Sequence, residues 1–212
     1  MKKLFVLLAA ACAAGVVSSA LGITYGEADG NGHPNVGALL APQAYSDGTW
    51  TTCTGTLISP TVFLTAAHCD QGLTNVNVTF ASDYKAGLSK TYAGTWHADA
   101  RYSQAQSDPY DLAVVVFAKP IKGIAPALLP KAGSLDALKQ GDVITAVGYG
   151  AQSVTMGAGG ATFHYQDTRF VATGSINTVT PSWVRASMNP AKGDGGTCYG
   201  DSGGQISSAR RT

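Results

Sequence analysis

The stretch that decides how this chain is interpreted is TCYGDSGG, residues 197–204, in which Ser202 lies between an acidic residue and two glycines. Glycine adopts backbone conformations that other residues rarely reach, so a tight turn here would present the serine hydroxyl on a loop. The same composition is also common in ordinary turns. A functional interpretation therefore requires chemical partners for Ser202 elsewhere in the chain.

Two upstream segments supply such partners. LTAAHC (residues 64–69) places His68 after a strand-like run, and DLAVVVF (residues 111–117) begins with Asp111. Taken singly, each is more often structural, as a histidine with satisfied hydrogen bonds or as a strand-end or turn-capping carboxylate. Together they fit one chemistry, because a serine hydroxyl needs a base to take its proton, and that base needs a carboxylate to orient it.

Short β-branched or alternating segments dominate the rest of the chain. They are residues 35–41, 54–66, 76–80, 111–118, 142–150, 162–173 and 182–187. Only SLDALKQ (134–140) favours a helix, MGAGGA (156–161) favours a flexible loop, and the proline-containing segment 122–134 favours a connection between two units. The pattern predicts an all-β protein built as a sandwich or barrel.

The segments LTAAHC, DLAVV and GDSGG resemble the three catalytic signatures of the chymotrypsin/trypsin-like serine endopeptidases, in that family's order His, Asp, Ser. The resemblance covers residues 23–204 and is greatest to secreted bacterial members. It implies two six-stranded antiparallel β-barrels, here residues 23–123 and 124–212. It also implies hydrolysis of peptide bonds in polypeptide substrates through an acyl-enzyme intermediate.

By the same resemblance, Ser202 is the nucleophile, His68 is the general base and then acid, and Asp111 orients the imidazole. The backbone N–H groups of Gly200 and Ser202 would form the oxyanion hole. Removal of the residues before Ile23 would create an ammonium group that pairs with Asp201.

Gly196 would lie at the base of the primary specificity pocket, where relatives that cleave after Arg or Lys carry an aspartate. A glycine offers no charge to a basic side chain. The resemblance therefore predicts a preference for an apolar or uncharged residue.

Residues 1–22 have the pattern of a secretory signal peptide, with Lys2 and Lys3 followed by an apolar run too short for the roughly 20 residues of a membrane-spanning helix. Cleavage after Ala20 or after Gly22 fits the pattern. We therefore expect a secreted, extracellular protein that has no membrane segment once the signal is removed.

Removal of Cys12 with the signal leaves three cysteines, so one thiol is unpaired if the others form a disulfide. Cys53 and Cys69 match the family pair that closes the histidine loop, which leaves Cys198 free.

The cysteine spacings match no zinc site. The formal net charge of +1 gives no reason to expect nucleic acid as a partner. We expect a monomer without a metal or cofactor.

The chain departs from the family after Gly204, where Gln205 stands in place of a proline and the following residues contain one strongly apolar side chain, Ile206. The family continues with further strands that wall the specificity pocket. We therefore expect a truncated second barrel and impaired activity. A protease-like binding domain is an alternative, although the three catalytic residues are kept. An esterase is another, although the absence of helices and the order of His and Ser argue against it.

Overall fold

The computed structural model describes residues 23, 25–105 and 107–208. The predicted signal peptide (residues 1–22) and residues 209–212 lie outside the described residues. The described strands are, in chain order, β1 (Glu27–Ala28), β2 (Val36–Leu40), β3 (Thr51–Ser59), β4 (Val62–Thr65), β5 (Asn75–Thr79), β6 (Thr91–Ala98), β7 (Ala113–Phe117), β8 (Val143–Gly148), β9 (Ser153–Gly157), β10 (Gly160–His164), β11 (Phe170–Val179), β12 (Val184–Ala186) and β13 (Gln205–Ser208). Two short 3-10 helices, Ala67–Cys69 and Pro190–Lys192, complete the elements, so the prediction of an all-β fold is confirmed.

Strands β2 to β7 form a closed antiparallel barrel in the order β2-β3-β4-β7-β6-β5. Successive side chains of a strand in a barrel alternate between the interior and the exterior, and the side chains that point inward here are mainly apolar. Phe63, Leu57 and Val115 are fully buried there, and the Phe63 and Phe80 rings meet edge to face with centroids 5.8 Å apart. This barrel is the rigid support for the histidine and aspartate segments.

The second half contains an antiparallel sheet in the order β1-β11-β8-β13, with β12 also paired to β11. Within the described residues it is a five-stranded sheet and not a second closed barrel of six strands. Strand β1 belongs to the N-terminal part of the chain but pairs with β11, Glu27 lying opposite Val171. The N-terminal segment therefore connects the two halves.

The two halves also share buried side chains. Val36 and Ala38 of β2 pack against Val147 of β8 and Tyr149. The guanidinium of Arg169 is fully buried between the halves. The relative placement of the two halves thus depends on an interface with both apolar and charged components.

Two local predictions were wrong. Residues 134–140 form turns instead of a helix, because a segment this short cannot form a stable isolated helix and its Leu135 is 46% exposed instead of packed on a core. Residues 156–161 are not a flexible loop but the end of the β9–β10 hairpin, in which Gly160 pairs with Gly157. Gly160 supplies the positive φ, 101°, that the tight turn requires.

Candidate active site

The histidine segment is anchored to the barrel on both sides. Strand β4 ends at Thr65, and the single 3-10 turn that follows contains His68 and Cys69. A disulfide joins Cys69 to Cys53 of β3, at a sequence separation of 16. Closing a loop of this size contributes about 3 kcal/mol on the chain-entropy model. His68 is therefore presented on a short, cross-linked turn.

Asp111 lies just before β7 and contacts His68 twice. Its Oδ1 accepts a hydrogen bond from the His68 backbone N–H at 2.8 Å, and its Oδ2 lies 2.6 Å from His68 Nδ1. An ionised carboxylate can only accept, so Nδ1 carries the hydrogen in this pair. The neutral ring then has its lone pair on Nε2.

Ser202 lies at that second nitrogen, with 2.8 Å between Ser202 Oγ and His68 Nε2. This distance is within the range over which a base can take a hydroxyl proton. The structure thus brings together the three side chains that were selected from separate parts of the sequence. The carboxylate, imidazole and hydroxyl form one continuous hydrogen-bonded chain.

The loop that carries Ser202 is held by the barrel. Thr54 of β3, fully buried, donates its N–H to Ser202 O at 3.0 Å and its hydroxyl to Gly200 O at 2.8 Å. Gly203 has φ of 80°, and a Cβ there would lie 2.5 Å from Thr54 O. Glycine is therefore required at this position both by the backbone angle and by the close approach to β3.

The peptide that precedes Gly200 has a fixed orientation. Ala151 donates its N–H to Tyr199 O at 2.8 Å, and Gly200 itself has φ of 95°. In a trans peptide the C=O and the next N–H point in opposite directions, so the Gly200 N–H points away from Ala151. The role of Gly200 and Ser202 as oxyanion donors remains a prediction.

Asp201, next to Ser202, is buried with 4% of its surface exposed. Its Oδ1 accepts from Gly150 N–H and its Oδ2 accepts from Cys198 N–H, both at 2.8 Å. Burial raises the pKa of Asp201 to about 6, although the two backbone hydrogen bonds oppose the change. In the described part of the chain no Lys, Arg or His lies within 4.0 Å of this carboxylate.

Ile23 is fully buried and packs against Phe170 and Ala172 of β11. Phe170 is the register partner of Gly148, and a Cβ on Gly148 would collide with Asp201 Oδ1. Ile23 therefore packs on a residue of β11 whose register partner, Gly148, faces the Asp201 carboxylate. Its nitrogen is an amide in this chain, so its pairing with Asp201 remains a prediction.

Gly196 is buried, and a side chain at this position would collide with Cγ of Met188, which is 51% exposed. The adjacent Gly195 donates its N–H to Thr173 O, which fixes this segment beside β11. The specificity role of Gly196 remains a prediction. The thiol of Cys198 is free in the described structure.

The ligand atoms of Cys53, His68 and Cys69 lie within 4.8 Å of one another. Both sulfurs belong to the disulfide, so they are not available as thiolate ligands for a metal ion. Two supporting residues were missed at the sequence level, Thr54 and Tyr199. Nothing in their local sequence marks them beyond their positions beside Cys53 and Gly200.

Comparison with known proteins adds one match. The family model described as Trypsin matches residues 26–209, which is most of the chain. No curated protein sequence matches. Among the described residues, no helix is both long and apolar enough to cross a lipid bilayer.

Proposed function

The chain belongs to the trypsin family of serine proteases, and from that premise we propose that it is a secreted endopeptidase whose catalytic residues are Ser202, His68 and Asp111. The observation that carries the proposal is the chain of contacts among them, 2.6 Å from Asp111 Oδ2 to His68 Nδ1 and 2.8 Å from His68 Nε2 to Ser202 Oγ. These distances support proton transfer without rearrangement of the three side chains.

In the proposed reaction, Ser202 Oγ attacks the carbonyl carbon of the substrate while His68 Nε2 takes the hydroxyl proton. Asp111 stabilises the resulting imidazolium, and the N–H groups of Gly200 and Ser202 stabilise the negative oxygen. The C–N bond then breaks, and His68 returns the proton to the leaving amine. A water molecule activated by His68 hydrolyses the acyl-Ser202 ester and restores the free hydroxyl.

The proposal is tested by labelling purified protein with a fluorophosphonate and by measuring hydrolysis of a peptide amide. Covalent labelling of Ser202 is the result that supports the proposal. Loss of the nucleophile from such a triad costs about 10⁶ in kcat, so Ser202→Ala should abolish both signals. Ser134→Ala, which alters an exposed serine in a turn, is the matched control and should retain both. Peptide hydrolysis that persists in Ser202→Ala would contradict the mechanism. A folded protein that is never labelled would favour the binding-domain alternative.

We also propose that cleavage after Gly22 frees the Ile23 ammonium to pair with Asp201. The buried carboxylate, with its raised pKa and no cationic side chain nearby in the described residues, would be stabilised by such a charge. The burial of Ile23 beside Phe170, opposite Gly148, supports the placement. The test compares proteins that begin at Ile23 and at Leu21. Faster labelling of Ser202 in the Ile23 form is expected, and equal rates would exclude the pairing.

Secretion is proposed from residues 1–22, and the disulfide between Cys53 and Cys69 supports an oxidising compartment. N-terminal sequencing of protein recovered from the medium distinguishes cleavage after Gly22 from cleavage after Ala20. Protein that is retained in the cytoplasm with its first 22 residues intact would contradict the proposal.

We further propose that an uncharged side chain is preferred on the acyl side of the cleaved bond. Gly196 brings no charge, and the side chain that packs on it belongs to Met188. Esters of Phe, Leu and Arg that share one leaving group provide the test. A kcat/KM for the Arg ester equal to or above that of the apolar esters would exclude this preference.

A further inference from the structure

A second cleft lies beside the Ser202 loop, on the side of Gly200. Its volume is about 410 Å³. We call it the tyrosine cleft, lined by Tyr45, Asp47, Thr52, Tyr165, Tyr199 and Gly200. It is separate from the cleft that borders His68 and Asp111, which contains Trp183 and Tyr102.

The aromatic side chains of the tyrosine cleft are held in place although they are exposed. The Tyr45 hydroxyl lies 2.6 Å from Thr52 Oγ1 of β3. Tyr199 is 67% exposed, yet its ring meets Phe163 of β10 edge to face with centroids 4.8 Å apart. The β9–β10 hairpin therefore supports Tyr199. Exposed aromatic rings that are fixed by neighbours are typical of a binding surface.

The cleft also has a negative charge. Asp47 Oδ1 accepts two hydrogen bonds from Thr49, one from its N–H at 3.0 Å and one from its hydroxyl at 2.7 Å. These bonds hold the pKa of Asp47 below its usual value, so the carboxylate is ionised at neutral pH. Tyr165 lines the same cleft as Asp47, and burial, together with the charges of Cys198, Asp47 and the neighbouring tyrosines, raises its pKa.

One oxygen of Asp47 is available to a ligand. Both hydrogen bonds from Thr49 go to Oδ1, and within the described residues no Lys or Arg nitrogen lies within 4.0 Å of the side chain. Asp108 in the His68 cleft differs, because Ser103 and Tyr110 occupy both of its oxygens. The charge of Asp47 is therefore directed outward, whereas that of Asp108 is used to shape its own loop.

We propose that the tyrosine cleft binds a lysine or arginine side chain of the polypeptide substrate, with Asp47 as the anionic partner and the tyrosine rings beside the cation. A guanidinium or ammonium group gains from a carboxylate and from aromatic faces at the same time. The cleft adjoins Gly200, so the bound residue lies near the cleaved bond. The inference rests on the proposed function, since it names a substrate feature recognised by the same site.

The test measures binding and does not require catalysis. Full-length protein with Ser202→Ala is titrated with dye-labelled hexapeptide amides that are identical except for one residue, arginine or its neutral isostere citrulline, placed at each position in turn. Fluorescence anisotropy gives Kd. At one position we expect arginine to bind roughly fivefold to tenfold more tightly than citrulline.

Variants then assign the preference to the cleft. Asp47→Asn keeps an oxygen that can accept from Thr49 but removes the charge, and should abolish the preference for arginine over citrulline. Tyr199→Ala should weaken binding of both peptides. Asp136→Asn, which removes an exposed carboxylate elsewhere, is the matched control and should change neither. Circular dichroism and Tm identify any variant that fails to fold, and Asp47→Asn is then replaced by Asp47→Ser.

Two outcomes would overturn the inference: arginine and citrulline bind equally at every position, or the preference survives in Asp47→Asn. Ester hydrolysis by the protein with Ser202 intact is measured in parallel. Hydrolysis without the arginine preference leaves the proposed function in place and excludes the tyrosine cleft as a cation site. The arginine preference without hydrolysis supports the cleft and counts against the proposed enzyme.

Discussion

Replacement of Arg169 by alanine tests the charged part of the interface between the two halves. The guanidinium is fully buried, and its Nε donates to Asp29 Oδ2 at 2.7 Å. Its other nitrogens donate to the oxygens of Val36, Phe80, Tyr149 and Gly30. One side chain thus connects the N-terminal segment, the closed barrel and the second sheet.

The expected loss in the free energy of unfolding follows from Asp29, the buried carboxylate that remains when Arg169 is removed. Burial raises the pKa of Asp29, but hydrogen bonds from His33 and Arg169 lower it by more, so the carboxylate is charged with its side chain 1% exposed. Removing one member of a buried ion pair costs about 3–5 kcal/mol, because the remaining charge, here held only by hydrogen bonds from His33, has lost its ionic partner. For a chain of this size that corresponds to a fall in Tm of roughly 6–20 °C.

Urea unfolding followed by tryptophan fluorescence, in a Ser202→Ala background that lacks the proposed nucleophile, measures this free energy of unfolding. Arg101→Ala is the matched control, because that guanidinium pairs with Asp99 on the exposed surface and should have no resolvable effect. The double variant Asp29→Asn, Arg169→Met should recover part of the loss, since no buried charge remains. A loss below about 1 kcal/mol for Arg169→Ala would refute the argument from buried charge.

Acid unfolding gives an independent readout. The pKa of Asp29 is lower in the folded protein than its ordinary value, so its contribution to stability is fully present above that ordinary value and is lost as the pH falls through the lower, folded pKa. Without Arg169 the folded pKa rises, and the acid transition should move to higher pH. An unchanged acid transition would show that Arg169 does not set the ionisation of Asp29.

Three further predictions concern the site. Gly203→Ala should lower the free energy of unfolding by about 1–3 kcal/mol. Gly72→Ala should lower it by less, because both glycines have a positive φ but only Gly203 lies against the main chain of a neighbouring strand. Equal losses in urea unfolding would exclude the crowding effect. Replacing Cys53 and Cys69 together by serine should lower the free energy of unfolding by about 2–4 kcal/mol and make the urea midpoint insensitive to dithiothreitol. A variant with the same urea midpoint as the unsubstituted protein would contradict this. In protein extended upstream of Ile23, burial raises the pKa of Asp201 to about 6 in the folded state. The contribution of Asp201 to the free energy of unfolding is therefore greatest at a pH below the pKa of this carboxyl in the unfolded chain, and it is lost as the pH rises through about 6. Asp201→Asn should flatten that profile, and a profile that keeps its slope would assign it to another group.

The clearest strand pattern comes from a strand with one buried face, although the exposed strand β12, Val184–Ala186, was also predicted. Ala113–Phe117 alternates between barrel core and exterior, so its β-branched residues give a clear pattern. Strand β6, Thr91–Ala98, was missed because its residues are mostly exposed or half-buried and Gly94 interrupts it. The glycine is needed there because a Cβ would lie 2.5 Å from Val115 Cγ1. The requirement for glycine at this position comes from a residue on another strand, so it cannot be predicted from the local sequence.

Strand β13 was missed for a different reason. Gln205–Ser208 has a single strongly apolar residue, Ile206, which is 57% exposed. The segment is a strand because it pairs with β8, Ile206 lying opposite Ala146. Main-chain hydrogen bonds to a distant partner determine it, and they leave no side-chain pattern to recognise.

The proposed catalytic side chains could be selected from sequence because their chemistry demands particular residue types in particular local settings. Their support could not, because it consists of main-chain contacts between distant segments. Thr54 donates to both Ser202 O and Gly200 O, and its own hydroxyl accepts from Tyr149 N–H at 2.9 Å. A single barrel residue therefore holds the serine loop and the start of the loop after β8, while the adjacent Cys53 is cross-linked beside His68. The distance between the base and the hydroxyl is consequently set within the first barrel, by two consecutive residues of β3.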